Sequence, residues 1–293
     1  MSPSASVPSS EAAQALLALT RQAETLWQAL VPLLPDVSVE LLPHIDSTNS
    51  ELMRRARAGH RQPVVLAAVE QSAGRGRHGK AWITRPGAAL TFSLGLPLQP
   101  TDWSGLSLAV GVSLAERLGP QVRLKWPNDL WWQGRKLGGI LVETALLGAD
   151  PMAPRFAVLG VGINLEAPEL PLASTTDEPA DGVVRGMAAL PPAGLAELSV
   201  QERDAGQWLV HLLPALLKDV LLFEQAGFAA FAPRFAARDA LLHQPLHTSD
   251  GRAGTGAGVA ADGALLLDTP VGRVAVASGE VSVRVQPAGG AVC

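Results

Sequence analysis

Val64-Val65-Leu66-Ala67-Ala68-Val69 and, beyond Glu70-Gln71-Ser72-Ala73, Gly74-Arg75-Gly76-Arg77-His78-Gly79-Lys80 together narrow the architectures open to this chain. The first run is apolar and rich in β-branched residues, which predicts a buried strand. The second is glycine-permissive and cationic. Gly74 to Lys80 fits the G-x-x-x-x-G-K phosphate loop, but that motif continues with a magnesium-binding Ser or Thr and a helix. Ala81 stands there instead, and Ala81-Trp82-Ile83-Thr84-Arg85-Pro86-Gly87 is a poor helix start. The G-x-G-x-x-G spacing of dinucleotide folds is also met and fails on the same missing helix. Two readings remain, a solvated Arg-rich surface loop and an anion trap. No Asp or Glu occurs between Gln71 and Thr101, so Arg75, Arg77, Lys80 and Arg85 make a cationic island. Glycines let backbone approach a ligand closely, and guanidiniums grip phosphate or carboxylate through paired bonds.

Around this island the chain alternates short strands and helices. The periodicity predicts a helix over 11–34 with Leu16, Leu19, Ala23, Leu26, Trp27 and Leu30 on one face, then a strand over 37–42. Asp46-Ser47-Thr48-Asn49 offers N-cap oxygens for a helix over 50–58. A strand over 89–96, broken by Pro97, a helix over 103–118 and a strand over 122–126 follow. Gln133-Gly134 reads as the turn of a hairpin joining 130–132 to 138–147, and 155–165 is a further strand. Residues 167–195 are rich in Pro, Ser, Thr, Asp and Gly and are expected to be a surface loop. Helices are expected over 199–225 and 227–237. From residue 240 Gly/Asp turns alternate with short Val/Leu strands, the pattern of a small all-β unit. The expected division is therefore a tail and helix (1–39), a central domain (40–240) and a β-rich domain (241–293).

Lys125-Trp126-Pro127-Asn128-Asp129-Leu130 sits where a strand meets a turn. Asn128 offers a donor and an acceptor, and Asp129 suits a magnesium ion shared with phosphates. An Asx turn over a packed Trp explains the same residues without a ligand. Lys136 precedes Gly138-Gly139, which sets an ammonium beside exposed backbone N–H groups; a solvated hairpin lysine is the plainer alternative. The chain holds 19 Arg among its 23 basic residues, yet Lys80, Lys125 and Lys136 cluster in this region. A compact ammonium is a different tool from a guanidinium fork.

Composition excludes several classes. With 47% hydrophobic and 17% charged residues the chain is not a disordered one. Twenty-seven acidic against 23 basic residues argue against a basic nucleic-acid binder. A single cysteine, Cys293, rules out a disulfide scaffold or cysteine-rich metal site. No apolar run reaches membrane-span length, and the Ser/Pro-rich start lacks the signature of a secretory signal, so a cytoplasmic setting is expected.

Five segments in order resemble the bacterial biotin–protein ligases, that is, biotin–[acetyl-CoA-carboxylase] ligases. They are Asp46-Ser47-Thr48-Asn49; Glu70 to Arg77; Lys125 to Leu130; Lys136-Leu137-Gly138-Gly139-Ile140-Leu141-Val142-Glu143; and Gly160-Val161-Gly162-Ile163-Asn164-Leu165. The resemblance covers roughly residues 40 to 285. It implies an α+β fold, a mixed-sheet catalytic domain shared with lipoate ligases and class II synthetases, followed by a small SH3-like β-barrel. It implies activation of biotin by ATP, with Mg2+, to biotinyl-5′-adenylate, and transfer of biotin to a lysine of biotin carboxyl carrier protein.

The resemblance also implies roles. Lys136 and Arg77 are the expected catalytic residues. Ser47, Thr48, Asn49, Gln71, Gly74, Arg75, Gly76, Arg77, Trp82, Lys136, Gly138 and Gly139 are expected around biotin. Arg75, Arg77, Lys80, Lys125, Asn128, Asp129, Lys136 and Asn164 are expected around ATP or the adenylate, with Asp129 at the metal. His78 departs from the cation common at its place, which makes the charge there pH-dependent. About 40 residues precede the Asp46 motif, too few for the winged helix-turn-helix of repressor relatives. No DNA or membrane partner is expected, and a homodimer is left open. A lipoate-attaching transferase and a catalytically silent biotin binder are the alternatives.

Overall fold

A computed structural model of the chain describes residues 10–147, 153–168, 190–198, 203–279 and 281–285. Residues 1–9 of the expected tail, residues 169–189 of the expected loop and residues 199–202 of the expected long helix lie outside these. The elements are α1 (Ser10–Leu30), β1 (Ser38–Ile45), α2 (Thr48–Arg57), β2 (Val64–Gln71), β3 (Ala89–Leu98), α3 (Leu106–Leu118), β4 (Arg123–Lys125), β5 (Asp129–Trp132), β6 (Arg135–Leu146) and β7 (Arg155–Asn164). After them come α4 (Ala205–Ala226), α5 (Ala232–Ala236), β8 (Pro245–Thr248), β9 (Ala253–Val259), β10 (Leu265–Thr269), β11 (Gly272–Val276) and β12 (Val283–Val285).

Seven strands form a mixed sheet in the order β1-β2-β3-β7-β6-β5-β4. Only β1 and β2 run parallel. Alternation along β7 explains its two faces. Ala157, Leu159, Val161 and Ile163 join Leu90, Phe92 and Leu94 in the main core under α1, α3 and α4. Phe156 and Val158 face the other way, with Val64 and Leu66, and are covered by Leu52, Met53 and Ala56 of α2. Each large side chain so buried contributes about 1.5–3 kcal/mol.

Two local expectations are corrected. Pro97 does not break β3, which runs on to Leu98 opposite Phe156 and Arg155. β2 begins opposite Gly95, so beyond that point β3 has a single neighbour and can accommodate a missing N–H. Trp27 is 42% exposed, because the buried seam of α1 is Ala12, Leu19, Leu26 and Leu30. α4 is long and apolar enough to cross a membrane, but Trp208, Leu209, Leu212, Leu213, Leu216 and Leu217 are buried in the core beneath α1 and α3.

The second sheet is antiparallel, in the order β11-β10-β9-β8-β12. It is tied to the β4–β5 end of the first. Leu124 N–H donates to the Arg238 carbonyl (2.8 Å) and Ala240 N–H to the Leu124 carbonyl (2.9 Å). Arg238 Nη1 donates to the carbonyls of Gly119 (2.9 Å) and Val122 (3.0 Å). The buried Trp126 indole N–H reaches the Gly263 carbonyl at 2.9 Å. Leu241, Leu246, Leu265 and Val283 belong to the same core cluster as α3 and α4, so the apolar interior runs unbroken between the sheets.

Candidate functional site

The face of the first sheet that α2 covers thins out along β7: Phe156 and Val158 give way to Gly160 and Gly162. A Cβ on Gly162 would lie 2.4 Å from Trp82 Cε2, and one on Gly160 2.2 Å from Asn49 Oδ1. The missing side chains open a cavity of about 280 Å³ between the sheet, α2, the Gly74–Trp82 loop and the start of β12.

One end of the cavity is lined by the neutral polar side chains of Ser47, Thr48, Asn49 and Gln71. Ser47 caps α2, its hydroxyl accepting from Ser50 N–H at 3.3 Å, and this sets Ser47, Thr48 and Asn49 at the helix N-terminus, all buried. Gln71 Oε1, at the end of β2, accepts from Thr48 N–H (2.8 Å) and Thr48 Oγ1 (3.2 Å). Ser93 Oγ stands 2.8 Å from both Thr48 Oγ1 and Asn49 Oδ1. Asn49 Nδ2 donates to Glu143 Oε2 at 2.9 Å. Trp82 forms the apolar wall; its indole N–H is buried with no hydrogen-bond partner among the described residues.

The other end is cationic. Asp129 pairs with Gly139, and Trp131 with Lys136, because Leu137 is an extra residue in β6 opposite the Leu130–Trp131 step. In regular alternation Leu137 would face Trp131 and Lys136 would point to the core side. The bulge instead buries Leu137 and brings Lys136 to the face of Asp129. Lys136 Nζ lies 2.7 Å from Asp129 Oδ1 and 5.9 Å from the Trp82 ring centroid. Lys125 Nζ sits 4.7 Å from the Trp131 ring centroid. Burial pushes the Lys125 ammonium down from its ordinary value; Asp129 opposes this, and Lys136, Lys80 and Arg284 reinforce it. Several cations thus share one carboxylate, an arrangement that calls for an anionic ligand.

The Gly–Arg loop is a compact flap. Trp82 N–H donates to the Gly74 carbonyl (2.9 Å) and Gly76 N–H to the Lys80 carbonyl (2.7 Å), around a tight turn at His78 and Gly79 with φ of 56° and 71°. Arg75 pairs with Glu143 at 3.3 Å. Arg77 donates to the carbonyls of Ser278 and, at 2.6 Å, Gly279, so the flap is closed onto the second sheet. Burial lowers the Arg77 pKa from its ordinary value, with Asp129 acting against it.

Of the residues singled out in the sequence, Ser47, Thr48, Asn49, Gln71, Arg75, Gly76, Arg77, Lys80, Trp82, Lys125, Asn128, Asp129, Lys136 and Gly139 line this one cavity. Gly74, Gly138 and Asn164 do not. Gly74 lies at the root of the flap, where a Cβ would meet the Trp82 carbonyl at 2.3 Å. Gly138 lies against the Gly162 carbonyl, at 2.7 Å from such a Cβ. Asn164 is buried and spends its amide on the Ala193 carbonyl (2.9 Å), whose own N–H bonds the Lys136 carbonyl (2.8 Å). Asn128 Nδ2 donates to the Ile140 carbonyl at 2.8 Å. Sequence reasoning missed Ser93 and Thr91, the roles of Gly160, Gly162 and Glu143, and Val281, Ser282, Val283 and Arg284 from the second sheet. The polar residues Thr91 and Ser93, spaced by two in an otherwise apolar strand, were the available signal. The second-sheet residues left none.

Residues 41–164 match the biotin/lipoate A/B protein ligase family and residues 253–284 the biotin protein ligase C-terminal domain. The bifunctional ligase/repressor BirA of Escherichia coli is 35% identical over 257 residues, 84% of this chain and 74% of that protein. The biotin–[acetyl-CoA-carboxylase] ligase of Paracoccus denitrificans is 33% identical over 254 residues, 82% of this chain and 98% of that protein. Among solved structures, the Aquifex aeolicus biotin protein ligase in complex with biotin and ATP aligns with TM-score 0.66 and 25% identity, covering 86% of this chain and 99% of that one. The two-ended cavity, the two matched segments in their order and relatives aligned over most of their length converge: the chain belongs to the biotin/lipoate A/B protein ligase family.

Proposed function

We propose that this cavity joins biotin to ATP and that the flap holds the product until a carrier protein collects it. The activity is that of a biotin–protein ligase. A biotin carboxylate oxygen attacks the α-phosphorus, the bond to pyrophosphate breaks, and a mixed anhydride forms. The amine of an acceptor lysine, having lost a proton, then attacks the acyl carbon; an amide forms and AMP leaves. The observation that carries this reading is the juxtaposition of a neutral polar pocket walled by Trp82 with a cluster of cations around a single carboxylate.

Ser47, Thr48, Asn49 and Gln71 are assigned to the polar head group of biotin, and Trp82 with Gly139 to its apolar body. Lys136 is assigned to the point where the two anions meet. There its ammonium, borne on a rigid bulged strand, screens carboxylate and α-phosphate and stabilises the charge that builds between them. Lys136 would leave Asp129 in part to do so, which would free that carboxylate. Asp129 is the residue assigned to hold a magnesium ion that would come with the nucleotide, and the ion would supply further neutralisation of phosphate charge. Lys80, Lys125 and Asn128 are assigned to the nucleotide. Arg75, Gly76 and Arg77 close over the adenylate and keep water from the anhydride. Gly74, Gly138 and Asn164 serve by shaping the flap root, the bulge and the floor under Lys136. The acceptor is the biotin carboxyl carrier protein of acetyl-CoA carboxylase.

Incubation of the chain with biotin, ATP, magnesium and a biotin-acceptor domain tests this. The expected result is an acceptor heavier by one biotin, dependent on all three small molecules. An acceptor of unchanged mass, or one that takes up lipoate in place of biotin, contradicts it.

A further inference from the structure

Glu143 is a carboxylate on the α2-covered face of the sheet, directly opposite the buried Val158 and next to the Leu141–Gly160 pair. Its side chain is 22% exposed. A carboxylate so placed needs partners to offset lost hydration. Those it has both belong to the site. Oε2 accepts from Asn49 Nδ2 at 2.9 Å, and Oε1 lies 3.3 Å from Arg75 Nη1. The Asn49 amide is otherwise held by Ser93 at its oxygen, and on the nitrogen side only by a long contact to the Leu141 carbonyl (3.4 Å). Without Glu143 the amide is free to flip, exchanging donor for acceptor at the cavity wall. The Arg75 pair is half-exposed and adds little stability by itself. Its value lies in where it holds the first guanidinium of the flap.

We propose that Glu143 is a positioning residue whose single carboxylate orients the Asn49 amide for ligand recognition and tethers Arg75 at the pivot of the flap. The inference rests on the ligase reading of the cavity. It separates two tasks that two substitutions can isolate. Glu143→Gln keeps an oxygen for Asn49 Nδ2 and removes the charge that holds Arg75. Glu143→Ala removes both.

The test measures biotin affinity by calorimetry and the release rate of biotinyl-adenylate, in the full-length wild type and both variants. Glu143→Gln is expected to bind biotin within threefold of wild type and to release adenylate at least tenfold faster. Glu143→Ala is expected to lose at least tenfold in biotin affinity as well. Unchanged biotin affinity in Glu143→Ala, even with a lowered Tm, overturns the proposal, and so does equal loss of affinity in both variants. A wild type that binds no biotin overturns the ligase reading itself, and this proposal with it.

Discussion

At the scale of single residues, the site depends on what is absent as much as on what is present. Gly162 has no room for a methyl group beside the Trp82 indole, whose ring edge would lie 2.4–2.7 Å from it. Gly162→Ala therefore moves Trp82 into the cavity; biotin affinity is expected to fall at least tenfold while Tm changes by only a few degrees. Titration calorimetry and a melting curve check the two halves. Asp46, just before the α2 cap, is held by Arg54 at 2.7 Å, and this hydrogen bond lowers its pKa from 3.8 to about 2. A depressed carboxylate stabilises the fold above its unfolded pKa, and that contribution disappears as pH falls through the folded value. Stability measured by urea midpoint should thus decline between pH 4 and 2, and Asp46→Asn should flatten that part of the profile. The Asp46 side chain is 42% exposed, so solvent screens the effect and high salt shrinks it. The sequence displayed Arg75 and Arg77, because charge in a glycine-rich, acid-free stretch is conspicuous, and Lys125 and Lys136, because lysine is scarce in this arginine-rich chain. It did not display Ser93 or Glu143, whose roles arise only when β3, β6 and α2 are brought together.

At the scale of elements, caps and turns were the most legible features. Asp46-Ser47-Thr48-Asn49 announced the start of α2, and Gln133-Gly134 the β5–β6 turn, where both residues adopt positive φ (48° and 75°). The bulge at Leu137 was not legible. Arg135 to Leu146 is mostly apolar, and a one-residue register shift leaves no mark in such a run. Yet the bulge decides which face Lys136 occupies. Pro97 and Trp27 were misread for a related reason: whether a strand has two neighbours, or a helix one covered face, is settled by packing partners distant in sequence. α4 begins with a reciprocal cap, Asp204 Oδ1 accepting from Gln207 N–H (2.8 Å) and Gln207 Oε1 from Asp204 N–H (3.0 Å). Asp204→Ala should cost about 1 kcal/mol, read from chemical denaturation, with biotin affinity unchanged, since α4 lies on the opposite face of the sheet.

At the scale of the whole molecule, the second sheet completes the cavity. Trp126, inside the Lys125–Leu130 segment, bonds the Gly263 carbonyl, Arg77 bonds carbonyls at 278 and 279, and Val281 to Arg284 line the cavity. The compositional change near residue 240 was readable as a change of architecture. That the newcomer shares the core and closes the site was not, because it rests on contacts some two hundred residues apart. This joint construction lets a flap from one sheet close against the other while Lys136 stays fixed on its bulge. In the proposed reaction the chemistry rests on that ammonium meeting both anions. Biotin-dependent exchange of pyrophosphate into ATP, compared in wild type and Lys136→Ala, tests this most directly. Exchange in the wild type that requires biotin, and that falls roughly a hundredfold or more in a variant of unchanged fold, is the predicted result. Equal exchange in the two proteins would contradict it.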